Sequence, residues 1–533
     1  TSPVAIPRFS LQKDYWTQFT LQNDDLEFLY NHLLEIEIPL TPIELVRALV
    51  DNRIKKEKQH LEKNQAAQGK IYLPKDSYQP DEKIVLPQFN WREGRVLSVR
   101  EGINPDSAPF QVIEVELDDQ TVTHLAANFA EHALNNPVSA ASEDENLDVE
   151  EVIKSHGKSL LSSLNAELES NPDLVRIAGR WFPRSLLVDV NIGYLNLAEA
   201  LLDMEEGGPL STQAILEQIE LPTDVNLKLT EFSLNLALEE DGRFDEVGPS
   251  GEVLWYLRRL EPEGVQNPPS FLRYQSHQTV DVSLVAPLLE MFEGHIEDDL
   301  EDNMCRESQP DQEIAISLIF PHWRAGTLPL CEENMHIFPT AIESPRVLFT
   351  FVDAISGERF PGWVVRQHRY IFGLEKWYAS QELMPGSVIT LKKGQKPGEV
   401  SIHSGKRRPT REWVRTALIG ADGGIVFAML KQLVSSQLDE RMAFGIPDVK
   451  PFDEIWNASN KQRGSLEQTV MSMMRELAKL TPQGHVHAQE LYAAVNIVRR
   501  CPPGPILQML VTQPWASHLG DLYFRLDDKP QEG

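Results

Sequence analysis

Three segments of the chain share one pattern of hydrophobic and polar positions. In each, apolar residues at helical spacing lead into a short apolar or aromatic strand, a glycine-containing turn and a second aromatic strand. The phrases are NPDLVRIAGRWFPR (171–184), DGRFDEVGPSGEVLWYLRR (241–259) and TQPWASHLGDLYFRL (512–526). Such strand–turn–strand phrases predict β-hairpins packed on helices. We expect their aromatic side chains to point largely inward: Trp181, Phe182, Trp255, Tyr256, Tyr523 and Phe524.

Start signals mark several predicted helices. Residues 24–65 have helical character, and Thr41-Pro42-Ile43-Glu44 has the form of a capping box with proline at the first helical position. Pro209-Leu210-Ser211-Thr212 opens another helix, and residues 227–238 supply the next. Pro502-Pro503-Gly504-Pro505 interrupts the helical pattern near the C-terminus, where we expect a turn.

Two blocks change to the period of strands. Residues 83–87, 94–100, 110–117 and 120–127 are short β-type runs, which together predict a small barrel. Residues 313–445 contain further strand-like runs with frequent turn signals, and one short helix at 374–378.

Charge is unevenly distributed along the chain. The formal net charge of −30 argues against a protein that coats nucleic acid non-specifically, because phosphate neutralisation needs clustered Lys and Arg. Acidic residues form one run at 143–151 and another at 297–302. We interpret both runs as solvated, mobile linkers, with mimicry of nucleic-acid phosphate as the alternative.

The cysteine pattern indicates a reducing compartment, and the hydropathy pattern predicts no membrane span. The three cysteines, Cys305, Cys331 and Cys501, are far apart and odd in number, so a disulfide framework is not expected. No apolar run approaches the roughly 18 residues of a membrane span, and the N-terminus lacks the pattern of a secretory signal. We therefore expect a cytoplasmic protein without membrane contact. The first residue is not Met, which leaves the native start open.

The segment 209–260 resembles the winged-helix domain at the N-terminus of the delta subunit of bacterial RNA polymerase. The resemblance rests on Pro209-Leu210-Ser211 opening a helix and on Asp241-Gly242-Arg243-Phe244 leading into the hairpin. It implies a helix, a capped helix, a third helix at 227–238 and a hairpin. That third helix offers Lys228, Thr230, Ser233 and Asn235 beside Glu231, Glu239 and Glu240. This mixed face favours protein contact or an architectural role over the reading of DNA bases.

Two further resemblances concern the β-rich blocks. WREGRVLSVR followed by FQVIEVELDD resembles the SH3-like barrels of Tudor and KOW type. The string GWVVRQHRYIFGLEKWYASQELMPGSVITLKKG, residues 362–394, resembles the B3-type pseudo-barrel DNA-binding domains of plants. Both families imply binding modules.

These patterns predict an α+β multidomain protein in which winged-helix units are combined with two small β-barrel-like modules. Its length of 533 residues exceeds what one hydrophobic core supports. The expected parts are a helical N-terminal region (1–70), a small SH3-like barrel (71–135), an acidic linker (136–150), a tandem winged-helix-like region (151–265), a second acidic linker (266–312), a pseudo-barrel-like domain (313–445) and a C-terminal helical or winged-helix-like domain (446–533).

The strongest basic cluster is the candidate nucleic-acid-binding site. Arginine clamps phosphate while aromatic rings stack on unpaired bases, which is the combination that a backbone-tracking groove needs. Pairing with acidic segments of the same chain remains an equal alternative. The cluster comprises Lys392, Lys393, Lys396, Lys406, Arg407, Arg408, Arg411, Trp413 and Arg415.

Signatures of catalysis and of metal binding are weak. The sequence lacks a P-loop, HExxH, GxSxG, paired CxxC and dinucleotide-binding GxGxxG. Asp118 and Asp119 have the residue type of a hairpin turn. Zinc bound by Cys305, His322, Cys331 and His336 is disfavoured because the spacing is too long, and the same holds for His485 and His487 with Cys501. We expect no cofactor and no metal.

The sequence thus predicts a non-enzymatic binding protein in transcription or another nucleic-acid process. Its partner would be a nucleic acid, a transcription protein such as RNA polymerase, or both. A protein-only scaffold and a metal-dependent nuclease or defence component with an inter-domain site are the alternatives.

Overall fold

The chain is an α+β protein that divides into two compact units. A computed structural model describes residues 15–17, 19–68, 70–86, 89, 92–103, 109–117, 121–130, 132, 135, 148–221, 225–275, 280–292, 296–301, 312–421, 423–461 and 465–527. The first unit comprises Thr1–Asp189 with Thr223–Ser233, and the second comprises Val190–Pro222 with Leu234–Gly533.

In its described residues the first unit combines three complete helices and the start of the helix Leu227–Glu240 with a five-stranded sheet and a hairpin. The helices are α1 (Asn23–Ile36), α2 (Pro42–Gln68) and α3 (Val149–Ser170). The sheet has the order β1 (Lys70–Ile71), β2 (Lys83–Leu86), β3 (Arg92–Glu101), β4 (Gln111–Leu117) and β5 (Val122–Ala127). The hairpin consists of β6 (Leu174–Ile177) and β7 (Arg180–Pro183).

The predicted helical stretch 24–65 is two helices rather than one. It is interrupted after α1, where Glu37 adopts the left-handed conformation that ends a helix. The capping box at the start of α2 is confirmed: the amide of Thr41 donates to Glu44 Oε2 at 2.7 Å, and the amide of Glu44 donates to Thr41 Oγ1 at 3.4 Å. The capping signal thus determines where the second helix begins.

The second unit contains most of the remaining elements. Its helices are α4 (Ile192–Met204), α5 (Thr212–Ile219), the end of α6 (Leu227–Glu240), α7 (Glu263–Gln266), α8 (Val282–Leu289), α9 (Phe320–Ala325), α10 (Glu375–Ser380), α11 (Lys450–Lys461), α12 (Leu466–Ala478), α13 (Ala488–Val498) and α14 (Pro503–Thr512). Its short strands beside helices are β8 (Leu210–Ser211), β9 (Phe244–Glu246), β10 (Leu254–Leu257), β21 (His485–His487), β22 (Ala516–Gly520) and β23 (Tyr523–Leu526).

Two sheets occupy the β-rich block of this unit. The larger has seven strands in the order β11 (Ile314–Ser317), β16 (Val388–Lys393), β17 (Glu399–His403), β13 (Arg346–Asp353), β14 (Arg359–Val365), β15 (Tyr370–Phe372) and β12 (Thr327–Pro329). The smaller has the order β19 (Ile425–Val434), β18 (Thr410–Ile419) and β20 (Phe444–Gly445). The strand-like runs and the short helix predicted in 313–445 are confirmed, whereas α9 and β12 were not predicted.

One order of elements occurs three times, in what we call copies 1, 2 and 3. Each has a helix, a short extended segment, two helices and a hairpin whose last strand pairs with that segment. Copy 1 is α1, Leu40, α2, α3, β6 and β7, with Leu40 bridged to Trp181 and the five-stranded sheet inserted between α2 and α3. Copy 2 is α4, β8, α5, α6, β9 and β10. Copy 3 is α12, β21, α13, α14, β22 and β23.

The three predicted hairpins are confirmed, with one exception among their aromatic residues. Trp181, Phe182, Trp255 and Phe524 are buried, and Tyr256 is partly buried. The inward orientation expected of Tyr523 is wrong, since this residue is 38% exposed. Neighbouring residues of a strand point to opposite faces, so on β23 the burial of Phe524 turns Tyr523 outward.

The prediction of a turn at Pro502-Pro503-Gly504-Pro505 is also wrong. Pro502 is the N-cap of α14, and Pro503 to Pro505 form its first turn. Proline is tolerated there because the first amides of a helix have no intrahelical acceptor. The segment therefore begins a helix.

We expect copy 3 to lose stability on mild acidification through His487. This residue is the N-cap of α13, where its ring nitrogen Nδ1 accepts from the amide of Gln489 at 3.3 Å. Burial, followed by the charges of Arg441 and Arg415, lowers the pKa of His487 to about 4. Below the ordinary histidine pKa of about 6.5 the unfolded chain takes up a proton that the folded chain excludes, so stability falls from there down to about pH 4.

Urea denaturation at about pH 7 and pH 5 tests this expectation. The variant His487→Asn retains a capping acceptor and does not titrate in that range, so its stability should fall less than that of the parent protein. An equal fall in both proteins would contradict the role of His487.

Candidate functional site

Strands β18 and β19 form an antiparallel ribbon with one exposed face. Its register pairs Arg411 with Leu433, Trp413 with Lys431 and Arg415 with Met429. Because alternate residues of a strand point to the same side, these cross-strand pairs lie on one face. The ribbon is long enough to alternate cations with apolar side chains along its length.

Large apolar side chains on this face are open to solvent. Trp413 is 62% exposed, Leu433 is 60% exposed and Met429 is 41% exposed. Lys431 Nζ lies 5.3 Å from the centroid of the Trp413 ring, within the range of a cation–π contact. We call Arg411, Trp413, Met429, Lys431 and Leu433 the ribbon face. An exposed group of apolar and basic residues of this kind is typical of a binding surface.

Three members of the predicted basic cluster are paired within the chain. Lys392 Nζ lies 3.0 Å from Glu313 Oε1, and Arg407 Nη2 lies 2.8 Å from Glu412 Oε2. Arg415 forms an ion pair with Glu490 and donates to the backbone carbonyl of Glu440. Arg415 is therefore held by the fold.

The remaining basic residues fall into two groups. Lys393 and Lys396 lie at the turn between β16 and β17, which the amide of Gly394 closes by donating to the Glu399 carbonyl. Lys406 follows the opposite end of β17, and Arg408 and Arg411 continue from there into β18. Residues 393, 396, 406, 408 and 411 are exposed, and within the described part of the chain no acidic side chain pairs with them. The cluster therefore consists of two exposed groups of basic residues, one at each end of β17.

The third helix of each copy is exposed to a different degree. In copy 1, α3 presents Lys154, Ser155 and Lys158 to solvent. In copy 2, the polar residues Thr230, Ser233 and Asn235 of α6 are buried, although the sequence placed them on an exposed face. In copy 3, α14 is buried over most of its length.

Hydrogen bonds explain the burial of the polar residues of α6. Asn235 Oδ1 accepts from Thr212 Oγ1 at 2.5 Å and from the indole nitrogen of Trp255 at 3.0 Å. Ser233 Oγ donates to the Leu229 carbonyl at 2.8 Å and accepts from the amide of Val188 at 3.0 Å. These groups serve the fold, which removes them from contact with DNA bases.

The second acidic run forms a buried ionic network instead of a solvated linker. The guanidinium of Arg500 donates to Asp298 Oδ2 at 2.9 Å, to Asp298 Oδ1 at 2.6 Å and to Asp299 Oδ1 at 2.6 Å. Arg500, Asp298 and Asp299 are almost fully buried, and Glu297 and Glu301 are buried as well. The interpretation of residues 297–301 as a mobile linker is therefore wrong, because Arg500, a cation far along the chain, pairs with Asp298 and Asp299 in the interior.

Part of the remaining predicted linker is also ordered. Residues 282–289 form α8, and Val285 and Leu289 lie in a core with residues of α13 and α14. The amide of Gly504 donates to Glu301 Oε2 at 3.0 Å.

The end of the first predicted linker is also wrong, because Asp148 is the N-cap of α3 and residues 149–150 begin this helix. Residues 136–147 of the first predicted linker and residues 276–279, 293–295 and 302–311 of the second lie outside the described residues, as do Asp118 and Asp119.

His322 extends the network. Its Nε2 lies 2.9 Å from Asp299 Oδ1, and its Nδ1 lies 2.9 Å from Thr327 Oγ1. Burial raises the pKa of Asp299, but the charges of Arg500 and His322 outweigh it and hold the pKa well below its usual range. Both ring nitrogens of His322 are engaged, which fits a structural role. Cys305 lies outside the described residues, and within them no group of three His, Cys, Asp or Glu residues is placed to hold a metal ion.

Comparison with known proteins returned no match: no family model, no curated protein and no solved structure is similar to this chain. In the described part of the chain, no helix has both the length and the apolar character needed to cross a membrane.

Proposed function

We propose that the chain is a non-enzymatic binding protein that acts in transcription or another nucleic-acid process. In this proposal copies 1 to 3 are winged-helix units, β1 to β5 form a small SH3-like barrel and residues 313–445 contain a pseudo-barrel-like module. The repeated order of helix, strand, two helices and hairpin supports the winged-helix assignment. The partner is a nucleic acid, a transcription protein such as RNA polymerase, or both.

The ribbon face is the proposed contact for single-stranded nucleic acid. The observation that carries this proposal is the 62% exposure of Trp413, which lies beside Arg411 on its strand and opposite Lys431. Unpaired bases stack on an exposed indole, while neighbouring cations contact the phosphates. Leu433 and Met429 offer apolar surface to the same bases. In duplex DNA the bases are stacked on each other, so the indole would stay exposed.

Lys406 and Arg408 extend this surface toward the phosphate backbone. They are exposed, and they lie on the segment that leads into β18. The net charge of −30 opposes the approach of a polyanion, so binding should be local to this surface and sensitive to salt.

We expect the full chain to bind a fluorescein-labelled single-stranded oligonucleotide with an affinity that falls steeply with salt. For single strands the slope of log K against log salt is about −0.7 per phosphate contact. The double variant Lys406→Gln with Arg411→Gln should therefore make the slope shallower by about 1.4. Fluorescence anisotropy at several salt concentrations measures it.

The matched control is Lys393→Gln with Lys396→Gln. It removes the same charge from exposed residues at the other end of β17. We expect its slope to stay close to that of the parent chain. Equal slopes for the two double variants would mean that the change in slope reflects net charge alone. Absence of binding at low salt would contradict the proposal.

A protein-only scaffold is the second candidate, and the helices of copies 2 and 3 favour it. The polar residues of α6 and most of α14 are buried, so neither helix offers the exposed polar surface that a DNA-reading helix needs. Copurification that recovers a protein partner but no nucleic acid would favour the scaffold.

A further inference from the structure

An open cleft lies beside α9 and α10 in the second unit, apart from the ribbon face. Its volume is about 320 Å³, within the range of small-molecule sites. Its lining consists of Trp323, Arg324, Glu375, Tyr378, Ala379, Glu382, Leu383 and Val449. Apolar and acidic side chains therefore share one concave surface.

The aromatic residues of the cleft have their polar atoms engaged in the fold. The indole nitrogen of Trp323 donates to the Leu383 carbonyl at 2.8 Å, and the hydroxyl of Tyr378 donates to the Thr327 carbonyl at 2.7 Å. What the partly exposed Trp323 can offer a ligand is ring surface, whereas Tyr378 is buried and supports the cleft from below. Together with Ala379, Leu383 and Val449 they form an apolar floor suited to a methylene chain.

The charged residues of the cleft leave an excess of negative charge. Arg324 is bound by both carboxylate oxygens of Asp453, at 3.0 and 2.8 Å. The hydrogen bond to Asp453 raises the pKa of Arg324, and the negative charge of Glu375 raises it further. Glu382 accepts a hydrogen bond from Ser435 Oγ at 3.2 Å. Among the described residues no cation lies within ion-pair distance of Glu375 or Glu382.

The two carboxylates come from the two ends of α10. Glu375 is its first residue, and Glu382 follows its last turn, where a φ of 53° turns the chain away from the helix. The lining residues Tyr378 and Ala379 lie between them in the sequence. Two carboxylates in one cleft, without a paired cation among the described residues, suit a ligand that carries two positive charges.

We propose that the cleft binds a linear aliphatic diamine, with one ammonium group at Glu375, the other at Glu382 and the methylene chain on the floor between them. The ring of Trp323 adds a favourable surface for an ammonium group. A lysine side chain has the same chemistry at one end only, so a free diamine is the ligand that satisfies both carboxylates.

Isothermal titration calorimetry of the full chain with 1,5-diaminopentane, at about 0.15 M salt to screen general attraction, tests the proposal. We expect one saturable site, binding at least about tenfold weaker for pentylamine, and no binding of the neutral 1,5-pentanediol. A tenfold change corresponds to the loss of one ammonium–carboxylate contact.

Two variants locate the site. Glu375→Gln and Glu382→Gly should each reduce the affinity for the diamine about tenfold, to the level of the monoamine. Glu382 has a φ of 53°, a conformation that glycine adopts without strain. The relief at this φ offsets the lost hydrogen bond from Ser435, so Glu382→Gly should fold with a melting temperature close to that of the parent chain, which separates loss of binding from loss of structure.

The matched control is Glu358→Gln, which removes one exposed carboxylate from the turn between β13 and β14. It should leave diamine binding unchanged. Equal weakening by all three variants, or equal binding of pentylamine, would overturn the proposal and leave only attraction to an acidic chain. Binding of a dilysine peptide without binding of the diamine would overturn it in favour of a protein partner.

Discussion

Replacement of Arg500 by Met should destabilise the second unit by about 3–5 kcal/mol, the cost of removing one partner from a buried ion pair. Arg500 is almost fully buried and is the cation that neutralises Asp298 and Asp299. Methionine fills much of the volume but leaves Asp298 without its cation and Asp299 with His322 alone. Urea denaturation, followed through the transition of the second unit, measures the loss.

Lys392→Met is the control for this prediction. Lys392 Nζ lies 3.0 Å from Glu313 Oε1, but both side chains are more than half exposed, so the loss should stay below about 1 kcal/mol. Adding Asp298→Asn and Asp299→Asn to Arg500→Met should recover part of the stability. A cost for Arg500→Met no larger than that of the control would show that the network contributes little.

Replacement of Trp413 by Ala should weaken the binding of single-stranded nucleic acid by a factor of about 5–150. This range converts the roughly 1–3 kcal/mol that a base stacked on an aromatic side chain contributes. Trp413→Phe should keep part of the affinity, since it retains a ring. Both variants should fold normally, because the side chain is mostly exposed. Fluorescence anisotropy with a labelled oligonucleotide measures the affinities.

Ile355→Ala provides the comparison. Ile355 is 66% exposed and lies in the turn between β13 and β14, away from the ribbon face. Its loss removes a similar kind of exposed apolar surface without touching the proposed contact. If both alanine variants bind equally well, Trp413 does not stack on a base.

Local signals in the sequence predicted the local structure. The capping box at Thr41 located the start of α2, and the turn glycines with flanking aromatic residues located all three hairpins. These features depend on residues close together in the chain, so propensity and hydrogen-bond geometry determine them. The alternation of burial along β23 is equally local, and it shows that Tyr523 and Phe524, as neighbours on one strand, point to opposite faces. The prediction that both residues point inward ignored this alternation.

The buried network shows what the sequence could not reveal. Asp298 meets Arg500 at a separation of 202 residues, and no local signal distinguishes such a carboxylate from a solvated one. Composition therefore favoured a linker at 297–301, and packing decided otherwise. The flanking helix α8, buried against the same core, was overlooked for the same reason.

The ribbon face combined residues that sequence analysis had found with others that it had missed. Arg411 and Trp413 belonged to the basic cluster, but Met429, Lys431 and Leu433 did not. A signal for them existed, because counting outward from the glycine-rich turn at 420–424 pairs position 413 with 431 and 411 with 433. Arg415 could not be separated from its neighbours in this way, since its partner Glu490 lies 75 residues away.

The inserted sheet of copy 1 has a consequence for synthesis on the ribosome. Strands β1 to β5 pair with strands that are near in the sequence. Helix α2 can pack against α3 only after α3 has been synthesised, and Arg47 of α2 then pairs with Glu150 of α3. The sheet can therefore fold as soon as residue 127 has emerged, while α1 and α2 stay without their partner until the hairpin at 174–183 follows. During that interval the apolar sides of two nascent helices are open to chaperones.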